Sequence, residues 1–370
     1  MARSKKTVIR FAVVGLGHFA QTAILPAFAN TRNNAALAAL VTGDVEKAAK
    51  LKRKYKAPAC SYEDYEELLE SGDIDAVYIA TPNSEHREYA VQAARRGVHV
   101  LCEKPLAYNV YDARAICDAC EKADVRLMTA YRLHFEAGNL QSVELIKSGR
   151  IGDPRLFTSV HTMQVDPDNI RTDLSLGGGP LEDIGIYCLN AARYIFQDEP
   201  EEVSAVAVHG SDPRFKEVPE AVSVTMQFSG GRLATFLCGF GATKTSEYRV
   251  IGTKGTLQMD PAYTWNGDIE QTVTIKGKST RRIFKHRDQI AAEILYFADC
   301  VQKGKTPEPS GREGMIDVRI MDAIRKAAKH GRRVAVSIPK KKPRPDASQS
   351  IKRQPHRQPQ PVNAAPPSIE

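Results

Sequence analysis

From Val8 onward the chain alternates short β-branched runs with longer amphipathic ones, and this rhythm constrains the fold more than any single motif. "VIRFAVV" is followed by a helical stretch over 18–30, then by "AALAALV" and a second helix over 45–55. The series continues with "IDAVYIA", a helix over 84–96, "VHVLC", a helix over 110–123 and "VRLMTA". Strands separated by helices pair in parallel, because each crossover returns the chain to the same edge of the sheet. The spacing therefore predicts an α/β, doubly wound parallel sheet over residues 1–132.

Beyond Gly152 the texture changes. "RLFTSVHTMQV", "EVSAVAVHG", "AVSVTMQFS", "RLATFLCGF" and "EYRVIG" follow one another across turns, interrupted by one helix over 180–196. Runs without crossovers predict a large, open-faced and mostly antiparallel sheet. Helical patterns over 286–303 and 313–330 close this second, α+β domain, read as residues 133–338. Residues 339–370 are rich in Pro, Gln, Lys and Arg with almost no large apolar side chain, so a disordered tail is expected there.

The formal net charge is +8. Seven Lys or Arg against two acids lie in the 339–370 segment, and Arg3, Lys5 and Lys6 lie at the front, so the folded body is close to neutral. That placement argues against a basic nucleic-acid surface on either domain and reads as a solvated, solubilising tail. Seven cysteines sit in apolar stretches without regular spacing, which fits a reducing cytoplasm rather than a secreted disulfide framework. Cys117 and Cys120 form a CxxC with no companion pair and read as two small buried residues on a helix, not a metal site. No run approaches a membrane span and no cleavage pattern follows Lys6, so neither export nor anchoring is expected.

At the tip of the first strand, "VVGLGHFA" sets Gly15, Leu16, Gly17, His18, Phe19 and Ala20 in a G-x-G-x-x-A turn that opens a helix. In this strand–helix context the turn is a dinucleotide fingerprint of the Rossmann kind. Gly15 permits the tight turn, Gly17 lets the backbone approach a pyrophosphate, and the helix N-terminus presents N–H groups to the anion. The tip of the second strand, "LVTGDVEK", places Thr42 where an acid would grip a ribose 2′-hydroxyl, with Lys47 following. A hydroxyl beside an ammonium favours a 2′-phosphate, hence NADP, with NAD the outcome if Asp44 turns inward instead of capping the helix.

The fifth strand ends in "VLCEKPLA", and open parallel sheets bind ligands at that edge. Lys104 there can donate to a substrate hydroxyl. In "GGGPLEDIGIY", Asp183 and Tyr187 are four apart and share one helix face.

"GLGHFA", "ATPNSEH", "GVHVLCEKPLA", "GGGPLEDIGIYCLN" and "VIGTKGTL", in this order over about residues 8–336, resemble the Gfo/Idh/MocA oxidoreductase family. "YRLHFEAGN", "DPDNIRTDLSLGGG" and "DIGIYCLN" are most similar to its glucose–fructose oxidoreductase branch. The resemblance implies sugar or polyol substrates, a homodimer or homotetramer built through the second sheet, and a Lys104–Pro105 peptide that can be cis. It also implies roles: Lys104 orients and polarises the reacting hydroxyl, and Asp183 holds the substrate. Tyr187 stands where most dehydrogenases of the family carry a histidine. A phenol of ordinary pKa, about 10, is a poor base at neutral pH, so the resemblance implies that Tyr187 works with Lys104 or that reduction is the favoured direction. Thr81, Pro82, Asn83 and His86 match the loop lining the nicotinamide side, and Glu103 a cofactor contact. Arg132 and Arg171 match positions facing sugar or cofactor. A non-catalytic sensor and a cofactor-recycling glycosidase remain alternative readings of the same motifs.

Overall fold

A computed structural model describes residues 8–338 and 345–368. The first sheet contains β1 (Ile9–Val14), β2 (Ala35–Val41), β3 (Ala59–Cys60), β4 (Ala76–Ile79), β5 (His99–Glu103) and β6 (Leu127–Ala130). All are parallel, in the order β3-β2-β1-β4-β5-β6. The order reverses between β1 and β4, and at such a switch point the two outgoing connections diverge and leave a crevice beyond the strand tips. Its helices are α1 (Leu25–Ala27), led in by a π-helical turn Ala20–Ile24, then α2 (Val45–Tyr55), α3 (Tyr65–Glu70), α4 (His86–Arg95) and α5 (Val110–Lys122).

The helix α6 (Ala137–Lys147) leads into the second sheet. That sheet contains β7 (Pro154–Gln164), β8 (Pro200–Val208), β9 (Ala221–Phe228), β10 (Arg232–Gly239), β11 (Gly241–Gly252), β12 (Gly255–Met259), β13 (Ile269–Ile275), β14 (Lys278–Phe284) and β15 (Val334–Ala335). Its order is β14-β13-β12-β11-β7-β10-β9-β8-β15, antiparallel except for β7 with β10. A π-helical turn, Leu181–Gly185, runs into α7 (Ile186–Phe196), which packs on the inner face of this sheet. Strand alternation explains the two faces: Phe157 and Ser159 of β7 and Ala234 and Phe236 of β10 point inward and are buried, whereas Leu156, Leu233 and Leu237 point out.

Two expectations are corrected. The second domain does not run unbroken over 133–338. Helix α8 (Gln289–Lys303) returns to the first sheet, where Ile290, Ile294 and Phe297 join Phe11, Val13 and Tyr78 in one core. The β1–β2 face would otherwise expose those residues, and the apolar face of α8 is what covers them. Helix α9 (Gly311–His330) lies between the domains, against α5 and β8. At its heart the fully buried Arg193 meets Glu199 at 2.6 Å, Glu313 at 2.9 Å and Asp317.

The tail expectation fails over 345–368. Gln349 is buried and donates to Glu308 O at 2.6 Å, and Ile351 and Val362 pack against the first-domain core. An extended chain with few apolar residues is held here by side-chain-to-backbone hydrogen bonds onto a preformed surface, which composition alone does not reveal. Residues 339–344 and 369–370 of the expected tail lie outside the described residues.

Candidate active site at the sheet switch point

The glycine turn closes directly on the neighbouring strand tip. A Cβ on Gly15, whose φ is +89°, would sit 2.7 Å from Ala80 and Thr81 backbone atoms, whereas one on Gly17 would meet nothing within 4 Å. Gly15 therefore locks β1 to the β4 loop, and the space beside Gly17 is free for an anion to approach the N–H groups that open the helix. His18 stands at this opening with its pKa lowered by burial and by the Arg171 charge. Leu16 and Ala20 are buried beneath the turn, and Phe19 packs edge-on against Trp265 at 5.8 Å. The Thr81 hydroxyl oxygen is buried without a protein partner, and so is Nε of Arg132. A buried, unpartnered hydroxyl on the loop that closes on the turn, together with an open glycine cradle, fits a dinucleotide.

At the tip of β2, Thr42 is buried, and Asp44 caps α2 by accepting from Lys47 N at 2.9 Å. The carboxylate is thus turned to the helix end, with the Lys47 ammonium 3.9 Å away.

Lys104 directly follows β5 and is joined to Pro105 by a cis peptide. Its ammonium donates to Asp183 O at 2.7 Å and to Asp183 Oδ1 at 3.2 Å, and it lies 4.8 Å over the Tyr187 ring. Arg171 Nε donates to the other carboxylate oxygen of Asp183 at 2.6 Å. One aspartate thereby joins a lysine of the first sheet to an arginine of the second domain. Burial by itself would raise the Asp183 pKa, but Arg171 and Lys104 outweigh it and hold the carboxyl well below its usual range. Burial would likewise lower Lys104, but Tyr187, Asp183 and Glu103 outweigh it and hold the ammonium above its ordinary value. Neither group can accept a proton near neutral pH.

The glycines of "GGGP" fix this arrangement. A Cβ on Gly177 would crowd Asn83 at 2.9 Å, and one on Gly178 would strike the Arg171 carbonyl at 2.4 Å. The run is threaded between the β4 loop and the loop carrying Arg171, and Asn83 Nδ2 ties the two by donating to Gly177 O at 2.8 Å. The π-helical turn then widens the helix at Asp183, re-aiming it relative to Tyr187, a device common at functional sites.

The other sequence-singled residues divide. Pro82 is half-buried beside Thr81 in the same loop. His86 is buried under the site, its Nδ1 2.9 Å from Pro105 O and its Nε2 3.1 Å from Thr81 O, so it braces the two loops and does not line the cleft. Burial pushes this ring down to about 4, which keeps it neutral. Glu103 accepts from the Tyr78 hydroxyl at 2.8 Å, and Tyr78 also reaches Glu293 at 2.9 Å. Arg132 is buried behind Tyr187, donating to Tyr263 O at 2.6 Å and Gln289 Oε1 at 2.8 Å with its guanidinium 4.8 Å from the Tyr187 ring. Its forked donors thus serve contacts to the Tyr263 backbone and to the first residue of α8.

His161 and Tyr263 were missed by sequence reasoning. His161 lies on β7 with its ring 5.7 Å from Tyr187 and 5.0 Å from Tyr263, and burial pushes its pKa down to about 3. A polar residue in the inward register of "LFTSVHTMQ" was the available signal.

Fold and site together define a dinucleotide-binding protein whose second domain delivers polar groups to the nicotinamide end of the crevice. The chain belongs to the Gfo/Idh/MocA oxidoreductase family. Residues 9–131 match "Oxidoreductase family, NAD-binding Rossmann fold", and residues 140–258 match "GFO/IDH/MocA C-terminal domain". The D-xylose 1-dehydrogenase [NADP(+)] of Haloarcula marismortui is 31% identical over 334 residues, covering 86% of this chain and 91% of that protein. The aldose-aldose oxidoreductase of Caulobacter crescentus, solved with glycerol, superposes with a TM-score of 0.85 at 37% identity, covering 89% of this chain and all of that one. A 3-ketoreductase from Actinomadura kijaniata, solved with NADP and TDP-benzene, superposes with a TM-score of 0.80 at 26% identity, covering 87% and 98%. Among the described residues, no helix is long and apolar enough to cross a membrane and no group of three or more acid, His or Cys side chains could hold a metal.

Proposed function

We propose that this protein is an NADP-dependent oxidoreductase of aldose-type sugars. The observation that carries the reading is the Lys104–Asp183–Arg171 chain with Lys104 stacked over Tyr187, placed beside the glycine turn. Three named relatives that share fold and length act on a sugar or use NADP, which supports both halves of the assignment. Asp44 caps its helix, so Thr42 and Lys47 are left to face a 2′-phosphate.

The chain's own groups divide the work. The bound nicotinamide would supply the hydride acceptor or donor. Gly15, Gly17 and the helix N-terminus hold the pyrophosphate, and Thr81, Asn83 and Glu103 shape the nicotinamide end. Arg171 and Lys104 fix Asp183 as a permanent anion that accepts from sugar hydroxyls. Lys104 donates to the reacting oxygen and stabilises negative charge there as the C–H bond breaks. Tyr187 takes the hydroxyl proton in oxidation and returns it to a carbonyl in reduction. Arg132, His161 and Tyr263 hold the Tyr187 ring in register.

The outer face of the second sheet, with Leu156, Leu233, Leu237 and Val206 exposed, supports a homodimer or homotetramer through that face. Seven free thiols support a reducing cytoplasm. A panel of aldoses and polyols, each added to protein with NADP+ or NAD+ and followed at 340 nm, tests the assignment. No absorbance change with any aldose would overturn it.

A further inference from the structure

Glu182 and Asp183 are consecutive acids in the π-helical turn, and each meets cations from a different part of the fold. Asp183 faces Lys104 and Arg171. Glu182, almost fully buried, accepts from Nη1 of Arg325 on α9. Through Nη2 the same guanidinium donates to the Tyr108 carbonyl at 2.9 Å and to Asp322, and it lies 4.7 Å over the Tyr108 ring. Tyr108 belongs to the loop between β5 and α5 that Lys104 begins. Asp322 takes a second hold on the end of that loop by accepting from Val110 N at 3.2 Å.

One arm of the Arg325 fork thus grips the residue before Asp183, and the other grips the loop that follows Lys104. A planar guanidinium holds its acceptors in a fixed relation, so it sets the separation of the two segments. The glycine run leaves the room for this. A Cβ on Gly179 would meet Glu182 Oε2 at 2.4 Å, and one on Gly177 would meet the Tyr108 ring at 3.3 Å. Burial raises the Glu182 carboxyl, and Arg325 opposes that rise. The other titratable groups acting on Glu182 are Asp322 of α9, Tyr108 of the β5–α5 loop and Cys238 of β10. None of these three is a cation, so the charge on Glu182 depends on Arg325.

We propose that Arg325 is a positioning residue for this site: it sets where the turn carrying Asp183 and Tyr187 stands relative to the loop carrying Lys104. The proposal rests on the oxidoreductase reading above and adds to it a residue that acts only through Glu182 and Tyr108. A displacement of about 1 Å between groups that must meet at one reacting atom costs on the order of 10²-fold in rate. Removal of the fork therefore slows the chemical step, while the glycine turn at Gly15 and Gly17, built from other residues, keeps its hold on the dinucleotide. Removal also leaves Glu182 buried without a cation, a position that tolerates the protonated acid and not the carboxylate. The handicap then grows as pH rises through the raised Glu182 value, because the ionised form is the one that opens the turn.

The test compares the parent with Arg325→Met and with the double variant Arg325→Met/Glu182→Gln. For each, kcat and KM for the best aldose are measured at saturating NADP+ between about pH 5 and 9, with NADPH affinity by fluorescence titration. Melting curves set an assay temperature at which every chain is folded. Arg325→Met is expected to lower kcat by about tenfold or more with nucleotide affinity within about threefold, and its kcat relative to the parent should fall as pH rises. In the double variant that relative kcat should no longer change with pH. A kcat of Arg325→Met within about threefold of the parent at every pH would overturn the proposal. So would a deficit that is flat with pH, or one whose pH dependence Glu182→Gln leaves in place, since either would mark Arg325 as scaffold alone. If Arg325→Met does not fold, Arg325→Lys decides, because it keeps the charge and loses the fork and the stacking on Tyr108. A kcat lower by about threefold or more with the parent's pH profile supports the proposal, and the parent's rate overturns it. Absence of turnover by the parent with every aldose would instead overturn the oxidoreductase reading, and the positioning role with it.

Discussion

Tyr187→Phe removes one oxygen atom from the site and almost nothing else. The ring is held by the Lys104 ammonium and the Arg132 guanidinium, each 4.8 Å from its centroid, and by the rings of His161 at 5.7 Å and Tyr263 at 6.0 Å. All four contacts are made to the ring, so phenylalanine keeps the packing and the cofactor crevice. What is lost is the proposed proton acceptor, because Lys104 is held protonated by Tyr187, Asp183 and Glu103, and Asp183 is held ionised by Arg171 and Lys104. General acid–base assistance contributes about 10²- to 10⁴-fold, or roughly 3–5 kcal/mol of barrier. The assay is steady-state oxidation of the best aldose from the panel, with cofactor affinity by fluorescence titration and a melting curve on the same samples. The expected pattern is a fall in kcat of that size, cofactor affinity within a factor of about three, and an unchanged melt. A kcat within threefold of the parent would refute the reasoning and move the proton to another group.

Lys104→Met should lower kcat/KM for the sugar by about 10²-fold or more, since it deletes the donor aimed at the reacting oxygen; steady-state kinetics with cofactor saturating reads this directly. Arg193→Met leaves Glu199, Glu313 and Asp317 buried without their cation, and Asp317 already stands at about 6 because burial outweighs Arg193. A loss of about 3–5 kcal/mol is expected in urea unfolding, and a loss below 1 kcal/mol would show the cluster relaxes. His356 has its pKa raised by the Asp288 hydrogen bond, opposed by burial, so its contribution is complete below its unfolded value of 6.5 and fades as pH rises through the higher folded one. Limited proteolysis of residues 345–360 should therefore accelerate between pH 6 and pH 8.5 beyond the protease's own pH dependence, and a flat corrected profile would exclude this anchor.

Much of the first sheet was legible because its signals are local. A β-branched run, a glycine turn and an amphipathic helix each announce themselves within a dozen residues, and β1, β2, β4, β5 and β6 lie where the periodicity put them. Lys104 was singled out by its place at a strand tip and Asp183 and Tyr187 by sharing a helix face, whereas their roles, and Arg171 itself, came from resemblance. Their meeting depends on Gly177 and Gly178 fitting between two loops that are far apart in sequence.

What the amino-acid order determined by itself was the class of each element and the dinucleotide turn, because φ/ψ preference and hydrophobic period act over neighbours. Only the tertiary structure decided that α8 turns back to cover the first sheet, that Arg132 stands behind Tyr187, and that Gln21 and Asp44 hold Val362 and Asn363. Those outcomes depend on which distant surfaces have matching shape and unpaired donors, and no window of sequence carries that information.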